Sequence, residues 1–298
     1  MDFSKKCSKL KFYSGLSKEL RSELTKFYQI DELDIEDVFT NTQLSKIEFH
    51  RYFYISLQLP EYDFEHRTVS IKEIHSFIHE DSLLIIDKHH YRYAESFYDK
   101  WKDAYKDLTP FEMFFEMLDF YVTKTYQTLT HYRSDISDVE RDLFDFEDTE
   151  DLLKENLIIK RNIINYLSII APLRSLIEEM QIKHAKVIGP RGVELLDDSL
   201  DKVKKIINTS HNLEKQMNLL IDTNESLISR STNETIKLLT SFNIIMLVPT
   251  FFASFFGMNI YFGWLPESES YLQLIGIILL MVGSYMLELV FLRRKHWL

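Results

Sequence analysis

The chain has 298 residues, of which 46 are acidic, 35 are basic and one is a cysteine. The net charge of −11 excludes a nucleic-acid backbone as the expected partner and is compatible with cations as partners. The single cysteine excludes an internal disulfide and a cysteine-based zinc site, as in proteins of a reducing compartment.

The N-terminal part of the chain predicts a small β-sheet. Lysines between residues 5 and 11 interrupt any apolar signal sequence, so we expect the N-terminus in the cytosol. Aromatic and β-branched residues dominate the segments 46–59, 69–78 and 82–86, which we interpret as three strands. Pro60 is expected to end the first strand, and Glu80 and Asp81 to form the turn between the other two.

The middle of the chain predicts long helices. Thr109 and Pro110 fit the first turn of a helix, and apolar residues recur at helical spacing over 111–129 and 152–182. The glycines and proline of 189–192 predict a turn between antiparallel helices. From 193 to 256 there is no glycine and only one proline, which predicts a single helix of roughly 95 Å at 1.5 Å per residue.

Two C-terminal segments are long and apolar enough to cross a membrane. Residues 238–256 and 272–287 carry no charge, and the second apolar run resumes after Glu288 to residue 292. Basic residues flank the segments at 230, 237 and 293–296, whereas the connector 260–271 carries only Glu267 and Glu269 as charges. The positive-inside rule therefore predicts an inner- or plasma-membrane protein with both termini in the cytosol.

These patterns predict an α+β cytosolic domain joined by a very long stalk helix to an all-α membrane domain of two helices. The lipid bilayer is therefore an expected partner. The predicted parts are the cytosolic domain with a helical hairpin at 1–192, the stalk at 193–237, the first membrane helix at 238–256, the external loop at 257–271, the second membrane helix at 272–292 and a basic cytosolic tail at 293–298.

The first membrane helix and its approach carry polar residues at helical spacing, with apolar residues between them. The polar residues are Asn233, Thr240, Asn243, Thr250 and Ser254, and Ile236, Leu239 and Leu247 lie between them. Without Thr240, these are the seven positions that we call the polar stripe. A polar group in hydrocarbon costs free energy, so this face is expected to meet protein or water. Helix packing through small polar side chains is one interpretation, and the lining of a pore is the other. A pore requires several chains, with cyclic symmetry as the expected arrangement.

The end of this helix resembles a known family. Phe256-Gly257-Met258-Asn259, followed by a short acidic loop, a second apolar segment and a basic tail, is similar to the CorA magnesium channels, whose signature is Gly-Met-Asn. The loop segment 264–267 and the cytosolic segments 57–60, 83–86 and 171–174 are also similar to segments of that family. The resemblance covers nearly the whole chain and is strongest from residue 233 onward.

The resemblance implies a funnel-shaped homopentamer that conducts Mg²⁺, with Co²⁺ and Ni²⁺ as further cargo. The polar stripe would line the pore, with Ile236 and Leu239 as its constriction. The selectivity filter would consist of Gly257, Met258 and Asn259. Glu267 and Glu269 of the external loop would attract cations to this filter.

The resemblance also implies regulation by cytosolic Mg²⁺ bound between subunits. The acidic run of the stalk is the best candidate for this metal site, and it contains Asp197, Asp198 and Asp201. Asp198 and Asp201 share a helical face because they are three residues apart. A solvated acidic face remains the alternative for this run. No organic cofactor is implied.

Two further functions remain open at this point. A Zn²⁺ transporter of the related Gly-Met-Asn type would carry the same motif, and a membrane-anchored scaffold without conduction would carry the same two membrane segments. An enzyme is not expected, because the ten histidines lack the spacing of a metalloenzyme and no Gly-rich phosphate loop is present.

Replacing Asn259 with aspartate or alanine is expected to suppress Mg²⁺ uptake while the protein still inserts and assembles. Aspartate would place a ring of like charges at the pore mouth, and alanine would remove the amide that replaces hydrogen bonds of bulk water. Uptake in a magnesium-transport-deficient host measures the effect, with expression and oligomer size as controls. Normal growth of either variant on low magnesium would show that the motif is only a structural cap.

Overall fold

The structure is a computed structural model that describes residues 3–40, 44–63, 65–144, 149–258 and 270–295. The chain divides into two compact units, Met1–Ile221 and Asp222–Leu298. The first unit contains a β-sheet and helices, and the second contains the end of one long helix and a further helix. The α+β domain, the very long helix and the apolar C-terminal helices are therefore present as predicted.

The sheet of the first unit has five strands in the order β1-β5-β4-β3-β2. Their bounds are β1 Lys9–Ser14, β2 Lys46–Phe49, β3 Phe53–Asp63, β4 Thr68–Ile78 and β5 Ser82–Asp87. β1 pairs in parallel with β5, and the other pairs are antiparallel. The first eight residues of β3 are buried, as expected for a strand covered on both faces. The predicted turn at 80–81 connects β4 and β5.

The single strand predicted over 46–59 is wrong in two respects. The chain turns at His50 and Arg51, so that β2 and β3 form an antiparallel hairpin with Phe49 opposite Phe53. The strand also continues through Pro60 to Asp63. The backbone N–H of Gln58 donates to Ser45 on the β2 side, and position 60 has the same orientation in the strand. β2 pairs with β3 only as far as Ser56, so the missing N–H of Pro60 breaks no ladder bond.

Seven α-helices accompany the sheet in the described part of the chain: α1 Lys18–Lys26, α2 Glu32–Phe39, α3 Ala94–Trp101, α4 Pro110–Phe144, α5 Thr149–Lys183, α6 Ala185–Phe256 and α7 Ser270–Arg294. Helices α1 and α2 bury Leu20, Leu24 and Ile35 in one cluster with residues of β3, β4 and β5. The predicted start of α4 is confirmed by a capping box, in which Glu112 N–H donates to Thr109 Oγ1 and Thr109 N–H donates to Glu112.

The breaks before the long helix lie close to the predicted turn. Helix α5 ends at Lys183 and α6 begins at Ala185, and a second break lies at Gly189, whose φ of 77° favours glycine. Gly192 already lies in the helix. A Cβ at Gly192 would lie 2.9 Å from the ring of Phe115, so this glycine allows α6 to approach α4 closely.

A buried ion pair holds the centre of the sheet together. Glu73 of β4 is fully buried and accepts a hydrogen bond from Lys88 Nζ at 2.9 Å. Burial alone would raise the pKa of Glu73, but the imidazole of His75, whose Nε2 lies 3.7 Å from Glu73 Oε2, and the hydrogen bond from Lys88 hold this pKa at about 2. The stabilisation is therefore present above the ordinary carboxyl pKa and is lost as the pH falls toward 2.

Replacing Lys88 with methionine is expected to lower the free energy of unfolding of the first unit by about 3 kcal/mol, because Glu73 would be left buried without its cation. The thermal unfolding midpoint of the full chain in detergent measures the effect. The matched control is Lys5→Met, which removes an exposed ion pair with Glu80 and should cost less than about 1 kcal/mol. Equal shifts for both variants would contradict a structural role of the buried pair.

Candidate functional site

The candidate site lies on the C-terminal part of α6. Helix α6 and the stretch Ile275–Arg294 of α7 are each long and apolar enough to cross a membrane. Only 6% of the most apolar 18-residue stretch of α6 is buried, and only 11% of that of α7. These segments are therefore not the core helices of a water-soluble fold. Large apolar side chains such as Leu238, Phe242 and Leu279 are exposed on them. This exposure suits helices that contact lipid or further protein.

All seven residues of the polar stripe are exposed in the single chain. At 100° per residue, they fall within a sector of about 120° around the helix axis. Ser241 lies about 140° from the middle of that sector and is only 1% exposed. Glu288 and Leu292 of α7, in the same unit, are also buried. The stripe therefore lies on a side of α6 that its own chain leaves uncovered, away from the buried Ser241.

The polar groups of the stripe differ in how far they are satisfied within the helix. Thr250 Oγ1 donates to the carbonyl oxygen of Met246 one turn earlier, which satisfies its hydrogen while its lone pairs remain available. Asn233 and Asn243 are exposed and carry amides with both donors and acceptors. A face of this kind can hydrogen-bond to water molecules or to the hydration shell of a cation.

The first two residues of the Gly-Met-Asn motif lie at the end of α6. Gly257 N–H donates to the carbonyl oxygen of Ala253 at 3.0 Å, which closes the last turn, and Met258 is 51% exposed. A Cβ at position 257 would lie 2.9 Å from that same oxygen, so a larger residue requires the helix end to shift. Asn259, Glu267 and Glu269 lie outside the described residues, and their predicted roles stay predictions.

The three aspartates of the predicted regulatory site lie on α6 in the first unit and are all exposed. Asp197 accepts a hydrogen bond from Gln181 of α5 at 2.6 Å, and Asp201 lies 3.9 Å from Lys204. Within the described part of the chain, these carboxylates do not form a cluster of the kind that could hold a metal ion. Ligands from a second chain would be needed to complete a site here.

Comparison with known proteins identifies the family. A family model described as CorA-like Mg²⁺ transporter protein matches residues 13–294, which is nearly the whole chain. The chain belongs to the CorA family. This CorA-family protein is 22% identical over 283 residues to the cobalt/magnesium transport protein CorA of Thermotoga maritima, covering 91% of this chain and 78% of that protein.

Solved structures support the same fold. The complete CorA magnesium transporter from Methanocaldococcus jannaschii matches with a TM-score of 0.83 and 18% identity, covering 96% of this chain and 90% of that one. The full-length CmaX protein matches with a TM-score of 0.73 and 11% identity, covering 97% and 88% of the two chains. The CorA-type arrangement of a mixed domain, a long helix and a C-terminal apolar helix therefore extends over this chain.

Sequence reasoning missed the buried polar residues of the second unit of this CorA-family protein. Ser241 was not distinguished from its neighbours, and Glu288 was noted only as an interruption of an apolar run. Both are buried, and within the described residues Ser241 Oγ and one carboxylate oxygen of Glu288 have no hydrogen-bond partner. A charged residue inside an apolar segment was the signal that pointed to Glu288.

Replacing Gly257 with alanine is expected to reduce cation uptake at least about tenfold, because the new Cβ would collide with the carbonyl oxygen of Ala253 and displace the motif. The matched control is Gly276→Ala on α7, where a Cβ would meet nothing within 4 Å. Uptake by cells with equal amounts of each variant in the membrane is the measurement. Wild-type uptake by Gly257→Ala would show that the end of α6 tolerates displacement.

Proposed function

We propose that this protein is a channel for divalent cations that takes up Mg²⁺ through a homopentameric pore in the inner or plasma membrane. Co²⁺ and Ni²⁺ would be further cargo. Membership of the family and the names of its relatives support transport of Mg²⁺ and Co²⁺ in general. We propose, in addition, that five chains form the pore, that Mg²⁺ is the preferred ion and that both termini lie in the cytosol.

The observation that carries the proposal is the exposure of the polar stripe on one side of α6. In a single chain, amide and hydroxyl groups would face hydrocarbon, which is unfavourable. Several copies arranged around an axis would turn these stripes toward each other and enclose water. The large exposed side chains Leu238 and Phe242 lie on other sides of the helix and would contact lipid or neighbouring chains.

The chemistry of Mg²⁺ favours a pore of this composition. The ion binds its six water molecules tightly and loses them slowly, so a filter passes it faster when it hydrogen-bonds to the hydration shell. A ring of Asn259 amides would provide such a filter, and Glu267 and Glu269 would raise the local cation concentration without binding tightly. Asn243, Thr250 and Ser254 would line the path behind it.

The pore would close at an apolar constriction formed by Ile236 and Leu239, which are 53% and 56% exposed in the single chain. An apolar ring of this kind blocks ions by excluding water. Cytosolic Mg²⁺ would favour closure by binding between subunits at Asp198 and Asp201, since a cation neutralises clustered carboxylates. Asp197, which is held by Gln181, would contribute through the same face of the stalk.

The purified protein in liposomes provides the test. We expect influx of Mg²⁺, weaker influx of Co²⁺ and Ni²⁺, and a decrease of influx as Mg²⁺ inside the vesicles rises. Light scattering of the purified protein in detergent should give the mass of five chains. Preferred flux of Zn²⁺ would favour the Zn²⁺ transporter instead. Absence of any flux from a correctly inserted protein would leave the non-conducting scaffold.

Replacing Leu239 with serine is expected to raise the basal flux severalfold and to weaken closure by Mg²⁺, because the constriction would hold water more readily. The matched control is Leu238→Ser. Leu238 is similarly exposed but points about 160° away from the middle of the polar stripe. Flux into liposomes at equal protein content is the measurement. The same flux change in both variants would contradict the assignment of the pore face.

A further inference from the structure

Three side chains of types that can bind a metal lie close together in the first unit, and none of them has a role in the proposed transport. Asp34 lies on α2, Glu48 lies on β2, and His50 lies in the turn between β2 and β3. One ligand atom of each lies within 4.8 Å of the others. They come from two segments that the fold brings together, so the arrangement is a product of the tertiary structure.

Hydrogen bonds from neighbouring residues fix the side chains of Asp34 and Glu48 and the backbone of His50. Tyr52 Oη donates a hydrogen bond to Asp34 Oδ2, and the backbone N–H of Asp31 donates to Tyr52 Oη. Lys46 Nζ donates to Glu48 Oε1 at 2.7 Å, which leaves Glu48 Oε2 directed toward His50 Nε2 at 3.6 Å. The backbone N–H of His50 donates to the carbonyl oxygen of Tyr52 and fixes the turn. Such supporting hydrogen bonds are typical of metal ligands.

The carboxylate of Asp34 lies at the buried end of this cluster. Asp34 is only 2% exposed, and no lysine or arginine of the described residues forms an ion pair with it. Burial raises the pKa of Asp34, and the hydrogen bond from Tyr52 is the largest effect that acts against this rise. Glu48 and Asp31 add further negative charge nearby. A divalent cation would neutralise this excess, whereas an unpaired buried charge is costly.

The geometry points to a site for a first-row divalent transition metal, and we propose that Asp34, Glu48 and His50 bind Co²⁺, Ni²⁺ or Zn²⁺ within one chain. Ligands of such an ion lie about 2.0–2.2 Å from it and therefore about 3–4 Å from each other. The side chains of Glu48 and His50 are 38% and 45% exposed, so small rotations bring them to that spacing. Water would complete the coordination.

The ligand set selects against Mg²⁺. An imidazole nitrogen suits Co²⁺, Ni²⁺ and Zn²⁺, whereas Mg²⁺ prefers oxygen ligands in a regular octahedron. The site is therefore separate in chemistry and in residues from the pore and from the three stalk aspartates. It does not depend on the transport proposal, because the ligands lie within the first unit of a single chain.

The test is a calorimetric titration of the full-length protein in detergent with Co²⁺, in the presence of excess Mg²⁺ that occupies sites made of oxygen ligands. We expect one Co²⁺ site per chain that His50→Gln and Glu48→Gln each weaken at least about tenfold. Both residues are partly exposed, so these variants should fold. The matched control is His66→Ala, which removes an exposed histidine paired with Asp63 at 2.8 Å elsewhere on the sheet.

Two results would overturn the site. Equal Co²⁺ stoichiometry and affinity in the wild type and in His50→Gln would show that the three side chains do not bind the metal together. An equal loss in His66→Ala would show that the binding is nonspecific. Visible absorption of bound Co²⁺ provides a second readout, since loss of the imidazole ligand should change its spectrum.

Discussion

The unfavourable placement of polar groups in hydrocarbon is the constraint on which the second unit depends. It requires the backbone to cross as a helix, which α6 and α7 provide, and it requires the polar stripe to face something other than lipid. Ser241 and the stripe lie on different sides of α6, and only Ser241 is buried by its own chain. The side of the helix that carries Ser241 is thus used for folding, and the stripe remains exposed.

In the first unit the main constraint is different, because charged groups are buried within a sheet. Glu73 and Lys88 form a pair at the junction of β4 and β5, and His75, which is hydrogen-bonded to Tyr54, lies beside Glu73. The close approach of α6 at Gly192 to Phe115 of α4 packs the start of the long helix against the helices of this unit.

Local patterns in the sequence predicted the long helices α4, α5 and α6 and the membrane segments well, since long apolar or helical periodicity dominates there. The short helices α1, α2 and α3 were not predicted. The capping residues Thr109 and Glu112 are only three residues apart, so the start of α4 was also predictable. The hairpin of β2 and β3 was not, because aromatic residues continue through the turn at His50. β1 was missed as well, because its pairing with β5 joins residues far apart in sequence. The meeting of Asp34 with Glu48 and His50 depends on the same long-range packing.

We thus propose two kinds of cation chemistry in one chain. The polar residues of the proposed pore are amides, hydroxyls and carboxylates, which would act on the water shell of a hard ion and release it quickly. The cluster of Asp34, Glu48 and His50 contains a nitrogen donor and a buried carboxylate, which favour direct and longer-lived coordination. A transition metal at this cluster would stabilise α2 against the β2–β3 hairpin by binding the folded state alone.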